Sequence, residues 1–572
     1  MKPAFHNGSF DIDVGMCSFG LPVPAKFDDT MIMAFLDNPY AESLELKDLC
    51  SERFDMRAEE RDAIREWLVK ARIIKPNAKK SATGENLWKA PGDLVGTYAK
   101  GDVKRTHMLR EELIPSIRDR GMWDAYKREI AVVPITMEME RSGIRVHRKR
   151  LREALRVFEQ MDKDVKKRIA RKLRIDSKNL LDGTEQTEKE KKSKFNLNSG
   201  KQLADALVKA GKLDSIVRTP SGQVSTKISI LQTCCNDKEL LNLLAVHSVA
   251  EKYMGTFMRP WLAQAEASHG RILPHFNQTR GGSNDGESGG ARSGRYSSSD
   301  PNMQQVASNP EESGNKDVLM LMQKWLREDY GYDFRGLRDY IIPDDGQVLI
   351  ACDYNQQELR ILAHFEKDVL MRAYLDNPML DIHTFVQGLI KDAIGIEFPR
   401  KHVKVTVFGI VYGMGLEKLA ARLDIDKETA KNLRDAVYKA IPGIKDLQNY
   451  LRQLANRDEP LITWGGRQYF CEEPRFDYKS RQWMSFEHKM LNYQIQPSAA
   501  DCTKAGMLNV YHNLPKVRIA IQVHDELVCM APSRKYGPMI AKEMGNVNFN
   551  VPMIAEAKYS DFSWARAEKE AV

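Results

Sequence analysis

Apolar residues between 151 and 169 return at three- and four-residue steps, at Leu151, Leu155, Phe158, Met161, Val165 and Ile169, among many Lys and Arg. That period predicts an amphipathic helix with a buried stripe and a basic outer face open to phosphates. The helical pattern begins at Trp123. Ahead of it, short apolar runs such as DDTMIMAFLDNP alternate with polar turns and predict a mixed α/β segment. Two stretches hold no core-forming pattern and are expected loops: the charged DGTEQTEKEKKSK (182–194) and the glycine-rich GGSNDGESGG (281–290). Beyond them, VLIA (348–351) reads as a buried strand following the turn IIPDDG, and it delivers Asp353 at its end. Helical spacing then runs from Glu358 to Phe365. Near the C-terminus, RIAIQV (518–523) and LVCM (527–530) are strand-like, and His524, Asp525 and Glu526 interrupt them. The expected unit is a hairpin with three ionisable groups at its tip.

The run RKHVKVTVFGIVYG (400–413) gives two answers. Its β-branched residues favour a buried strand. Yet Arg400, Lys404, Phe408 and Tyr412 recur every four residues, which on a helix places them along one slowly drifting face. Val403, Val407, Ile410 and Val411 would then face other parts of the protein.

Composition narrows the class without fixing the chemistry. With 572 residues, 42% hydrophobic and 29% charged, the chain is of globular type and long enough for several domains. The net charge is +8, from 87 Lys and Arg against 79 Asp and Glu, a mild basic excess that suits a polyanionic partner without demanding one. The eight cysteines form no C-x-x-C pair, which argues against a zinc cage or a disulfide framework and for a reducing compartment. MKPAFHNGSF lacks a signal-peptide core and no apolar run approaches bilayer length, so a cytoplasmic location without membrane attachment is expected.

An Asp at a strand end is most often a turn former or helix cap, and an isolated His-Asp-Glu is most often a surface turn. Two such motifs together change the odds. Asp353 and Asp525 could jointly hold two Mg²⁺ ions about 3.5–4 Å apart, the arrangement that clamps an in-line phosphoryl displacement. Oxygen-only ligands suit Mg²⁺. Two cations early in the 400–412 stripe would meet a triphosphate, and two aromatics further along a sugar and a base.

DYNQQELR, the R-x-x-x-K-x-x-x-F-G-I-x-Y-G stripe and QVHDEL resemble, in the same order, the three polymerase motifs of the family A (DNA polymerase I type) DNA polymerases. MEMERSGIRV, FNLNSGKQL, HFNQTR, SGRYSSSDPNMQQ, TWGGRQYF and LNYQIQPSAADCTK extend the resemblance over nearly everything from Trp123 onward. It implies a helix for the run at 400–413 and an α+β, multidomain right hand of palm, fingers and thumb. The expected boundaries are 123–272 for the thumb and connecting helices, 273–366 and 446–572 for the two parts of the palm, and 367–445 for the fingers.

By the same resemblance, Asp353 and Asp525 bind both Mg²⁺ ions and Glu526 supports the site. Arg400 and Lys404 contact the triphosphate, with Lys404 the proton donor to pyrophosphate. Phe408 stacks on the nucleotide, Tyr412 and Glu358 crowd its ribose 2′ position, and His383 lies nearby. Arg295, Asn492, Gln496, Gln522 and His524 match positions that touch primer, template or nascent pair, following backbone and minor-groove geometry. The implied partners are primer-template DNA and deoxynucleoside triphosphates. Asn355, Gln357, Val407 and Pro497 depart from the family pattern without touching the metal ligands. The short thumb insertion and the loop before SGRYSSSDP resemble phage members, which implies genome replication in a host cytoplasm.

At the front, FHNGSFD, with Asn7 and Asp11, and TYAKGD, with Tyr98 and Asp102, resemble the second and third motifs of a ribonuclease H-like 3′–5′ exonuclease domain. The first, an Asp-x-Glu on an early strand, belongs ahead of Asn7. The expectation for 1–122 is therefore an incomplete α/β exonuclease-like domain with little or no proofreading. The rival is a split enzyme whose missing strands and acidic pair come from another polypeptide. For the whole chain, the leading expectation is template-directed DNA synthesis by two-metal phosphoryl transfer. A repair or lesion-bypass polymerase is the runner-up, and a non-catalytic DNA-binding relative the alternative from another class.

Overall fold

The computed structural model describes residues 2–181, 194–219, 222–279, 291–306, 316–478 and 481–567. The expected loop at 281–290 and all but the last residue of that at 182–194 lie outside them. The chain divides into two compact units. One comprises Met1–Arg141, Phe276–Ser299 and Ile350–Lys558; the other comprises Ser142–His275, Asp300–Leu349 and Tyr559–Val572.

The first unit opens with a two-residue parallel pair, Ala4–Phe5 beside Asp28–Asp29, and is otherwise helical up to Arg141. The expected α/β character rests on that short pair alone. DDTMIMAFLDNP forms a helix, Thr30–Asp37, because Asp29 caps it: its carboxylate accepts from the Met31 and Ile32 backbone N–H groups. Its neighbour Asp28 is fully buried and is matched by Lys2 at 2.6 Å, Arg110 at 3.0 Å and the Tyr126 hydroxyl at 2.9 Å. Phe35, Leu49, Leu113, Ile117 and Tyr126 lie in the apolar core beneath.

Most of the four-stranded sheet that positions the site belongs to the same unit, in the order Arg518–Val523, Glu526–Ala531, Val348–Tyr354, Ala555–Ser560. The hairpin expected around Asp525 is present: Val523 pairs with Glu526 and Arg518 with Met530, antiparallel. The strand expected at 348–351 continues through Asp353 to Tyr354, so Asp353 sits within the strand rather than after it. Cys352 and Tyr354 are buried on the alternate face, which explains the extension. The run at 400–413 resolves as a helix, Arg400–Val411, with Val403, Thr406, Val407 and Ile410 buried.

In the second unit the amphipathic pattern becomes the helix Arg148–Lys172, burying Leu151, Ala154, Phe158, Met161, Val165 and Ile169, with Leu155 only half-buried. It packs on Lys238–Lys252. Phe158 meets Phe334 edge-on at 5.0 Å, adding a directional contact to the area it buries. Between the two helices, His247 Nδ1 lies 2.7 Å from Asp162, and Lys166 bridges Asp162 at 2.8 Å and Glu251 at 2.9 Å. The Lys166 ammonium already sits between these two carboxylates, so the trio Asp162, His247 and Glu251 reads as a structural clamp.

Candidate active site

Asp353 and Asp525 are carried by neighbouring parts of one sheet, and the Tyr354 N–H donates to the Asp525 carbonyl at 3.2 Å. The turn that presents Asp525 needs His524 at φ 54°, a left-handed conformation that Asn, Asp and His tolerate better than bulky or branched residues. It is fixed from below: Gln522 Nε2 donates to the His524 carbonyl at 2.8 Å and Thr503 Oγ1 at 3.2 Å.

Burial pushes the Asp525 carboxyl up to about 6, with Asp353 and Glu526 adding to the rise and Arg295 opposing it. Burial also raises the Asp353 carboxyl, with Lys558 opposing and Glu526 and Glu556 reinforcing. Carboxylates that raise one another's proton affinity in a half-buried pocket are short of positive charge. The donor set is oxygen alone, so the residues fit a hard divalent cation such as Mg²⁺. Asp353 and Asp525 would hold it, with Glu526 alongside.

A chain of side chains runs from this pocket to the helix Arg400–Val411. Arg295 pairs with Glu358, and Glu358 accepts from the Tyr412 hydroxyl at 2.5 Å. Gln496 also reaches the Tyr412 hydroxyl. Tyr412 stacks on Phe408 at 6.2 Å and 15°, and Phe408 meets His383 at 5.7 Å. Lys404 is exposed on the same face. Arg400 is tied back to Asp381 at 2.6 Å, the residue that caps the helix Ile382–Ile394. His383 is buried, and burial, followed by Lys404 and Arg400, pulls its imidazole down to about 4. It is therefore neutral at physiological pH, with a buried Nδ1 that has no hydrogen-bond partner among the described residues.

Asn492 and Gln496 share the helix Met490–Asn513. Asn492 is half-buried, with its Oδ1 unpartnered among the described residues. Of the departures from the family pattern, Gln357 is buried but satisfied, donating to Thr503 Oγ1 at 3.0 Å and the Ala499 carbonyl at 3.3 Å. Val407 is a core residue, and Pro497 lies inside the helix Met490–Asn513.

The N-terminal candidates lie on two different helices or at their start, with Asp102 near enough to His6, beside Asn7, for its charge to be felt there. Asn7, at φ 66°, precedes the helix Gly8–Phe19, and Asp11 is exposed in that helix's first turn. Tyr98 and Asp102 lie on the long helix Gly92–Asp119. Lys47 occupies that pair: its ammonium is 2.5 Å from Asp102 and sits 3.7 Å over the Tyr98 ring.

Sequence reasoning missed three groups. Lys558 Nζ lies 3.5 Å from Asp353 Oδ1, and a lone Lys in a half-buried strand gives no signal of such a role. Arg360 is fully buried and donates to the carbonyls of Asn355, Pro378 and Pro552 at 2.7, 2.6 and 2.8 Å, fixing the chain on leaving Asp353. Beneath the site, Glu129, Arg467, Asp501 and Lys504 form a buried ion quartet.

Among known proteins, DNA polymerase I of Chloroflexus aurantiacus is 27% identical over 554 residues, covering 94% of this chain and 51% of that protein. The thermostable DNA polymerase I of Thermus aquaticus is 27% identical over 387 residues, 66% of this chain and 42% of its own length. The chain thus spans about half the length of the curated relatives it matches. The fold is shared with a solved structure described as the POL domain of Pol1 from M. smegmatis in complex with DNA primer-template and dNTP. The TM-score is 0.73 at 23% identity, over 99% of this chain and 86% of that one. The sequence profile of DNA polymerase family A matches residues 164–566, well over half of the sequence, and the chain belongs to that family.

Proposed function

We propose that this chain is a template-directed DNA polymerase that extends a primer 3′ end with deoxynucleotides. The observation that carries the reading is the continuous path from the Asp353–Asp525 pocket through Arg295 and Glu358 to Tyr412, Phe408 and His383. Support also comes from the M. smegmatis structure, whose description includes primer-template and dNTP. The palm is assigned to 273–366 and 446–572, the fingers to 367–445 and the thumb to 123–272.

Bound at Asp353 and Asp525, two Mg²⁺ ions would supply activation of the primer hydroxyl and neutralisation of charge on the departing pyrophosphate. The protein's own groups do the rest. Lys404 and Arg400 approach the triphosphate from one helix face, Arg400 after exchanging Asp381 for phosphate. Lys404 then donates a proton to the leaving pyrophosphate. Phe408 offers a stacking face. Tyr412, held by Glu358, fills the space a ribose 2′-hydroxyl would need. Neutral His383 supports the Phe408 ring without adding charge. Arg295, Asn492, Gln496, Gln522 and His524 follow the minor-groove edge and backbone of the nascent duplex, which carry little sequence information.

The setting inferred is phage genome replication in a host cytoplasm. It is supported by the short thumb insertion and the glycine-rich stretch ahead of Ser293. No helix among the described residues is long and apolar enough to cross a membrane. For residues 1–122 we infer an exonuclease-like segment without proofreading of its own, supported by Lys47, which neutralises Asp102 and covers Tyr98. Excision restored by a second polypeptide would instead identify a split enzyme.

The test is extension of a primer-template with and without a 3′ mismatch, comparing wild type with Asp525→Asn. Extension is expected from the wild type and lost in the variant, with the mismatch retained by both. Extension unchanged in Asp525→Asn refutes the polymerase reading, and mismatch removal by the chain alone refutes the reading of residues 1–122.

A further inference from the structure

The strand Ala555–Ser560 lies beside the strand that carries Asp353. Successive side chains on a strand alternate faces, so Glu556 and Lys558 share one. Asp353 is close enough to feel both charges. Lys558 Nζ stands 3.5 Å from Asp353 Oδ1, and each side chain is 40% exposed. A cation is thus built into the pocket that is otherwise suited to divalent metal.

The pairing differs from the one at the N-terminal acidic residues. Lys47 and Asp102 meet at 2.5 Å with the lysine only 7% exposed, so that lysine is packed in place. The Lys558 contact is longer than a normal hydrogen bond, and its flexible stem has open solvent to swing into. An exposed lysine with so long a contact is cheap to displace, while Glu526 and Glu556 add negative charge around Asp353.

We propose that Lys558 is a resident counter-cation that holds Asp353 while no metal is bound and competes with the incoming divalent ion for it. The proposal rests on the reading of Asp353 as a metal ligand. Lys558 is a positioning residue: it keeps the Asp353 carboxylate aimed and sets how much free metal is needed to occupy it. A partly exposed ion pair of this kind corresponds to about a two- to five-fold effect on metal affinity.

The probe is Mn²⁺ alone, added to the full chain without DNA or nucleotide and followed by the electron paramagnetic resonance of the free ion. Wild type, Lys558→Gln, Lys558→Arg, Asp353→Asn and the double variant Asp353→Asn/Lys558→Gln are compared after circular dichroism shows each folded. Lys558→Gln is expected to tighten Mn²⁺ binding about two- to five-fold. Lys558→Arg, which keeps the charge, should stay within about two-fold of wild type. In the Asp353→Asn background the Gln substitution should have no effect, since the shared partner is gone. Unchanged or weaker binding in Lys558→Gln, with Asp353→Asn clearly weakened, overturns the proposal and leaves the metal site standing. Wild-type Mn²⁺ binding in Asp353→Asn overturns the metal reading itself.

Discussion

The ion quartet beneath the site gives a prediction whose size follows from burial. Glu129 and Asp501 are fully buried, and Arg467 and Lys504 are 2% and 1% exposed. Arg467 is bidentate to Asp501, with Nε and Nη2 each at 2.9 Å, and also pairs with Glu129. Lys504 donates to Glu129 at 2.6 Å and to the Gly294 carbonyl at 2.8 Å. Two anions and two cations balance, with Arg128 at the edge 3.3 Å from Asp501. Burial alone would raise the Glu129 carboxyl, but Lys504 and Arg467 more than offset it and hold it ionised. Arg467→Met keeps volume but leaves two buried carboxylates facing one buried ammonium. Breaking such a pair from one side costs about 3–5 kcal/mol. At about 2 °C per kcal/mol for a large domain, the melting temperature should fall by about 6–10 °C. Thermal unfolding followed by circular dichroism and by urea titration measures it. Because the groups are in contact, Glu129→Gln/Lys504→Met should cost less than the sum of its single variants by about 0.5–3 kcal/mol. A loss under about 1 kcal/mol in Arg467→Met, or strict additivity in the cycle, would mean that the quartet is hydrated and does not anchor the helix Met490–Asn513.

On the proposed reading, Tyr412→Ala should lower the preference for deoxy- over ribonucleotides by about 10- to 200-fold, because the ring held by Glu358 at 2.5 Å is what fills the 2′ space. Competition kinetics with paired dNTP and rNTP check this, and an unchanged ratio would place sugar selection elsewhere. Lys404→Ala should slow single-turnover incorporation by about 10²–10⁴-fold, the range of a lost general acid, with nucleotide affinity changing far less. Equal losses in rate and affinity would make Lys404 a charge contact only. His383, pulled down to about 4 from an unfolded-chain value of about 6.5, should show an NMR midpoint well below 6. The unfolded chain takes the proton first, so the stability this group contributes is intact above about pH 6.5 and is lost as pH falls toward 4. A midpoint near 6.5 would show the ring to be solvated.

How much of this was legible in the sequence depended on how local the determinants are. The Asp525 hairpin was readable because alternation, the burial period and the turn all fall within residues 518–531. The strand to Asp353 was found but ended early, since the continuous apolar run stops at Ala351 and the sheet goes on to bury Cys352 and Tyr354. Residues 400–412 show the opposite case. Their β-branched residues favour a strand by at most about 1 kcal/mol each, but the helix buries Val403, Thr406, Val407 and Ile410 along one side, and that packing decides the element. Only the resemblance to a known family gave the right element there. DDTMIMAFLDNP carries its own signal, an Asp capping an apolar run, which the alternation reading passed over.

Charge pairing stayed invisible for a physical reason. Glu129 and Arg467 are 338 residues apart, and no periodicity links an acid on one helix to a base on a distant loop. A sequence displays a lysine as a solvated charge, which is its ordinary fate. Only the fold distinguishes Lys504, fully buried and doubly bonded, from Lys47, packed over Tyr98 onto Asp102, and both from Lys558, loosely placed beside Asp353. The three differ in exposure and in distance to their carboxylates, and those two quantities decide the consequence. The buried lysine sets stability, and the packed one neutralises Asp102 and covers Tyr98. On the proposed reading the loose one yields to a stronger cation, so the charge beside Asp353 regulates occupancy, whereas the charge beside Asp102 is packed in place.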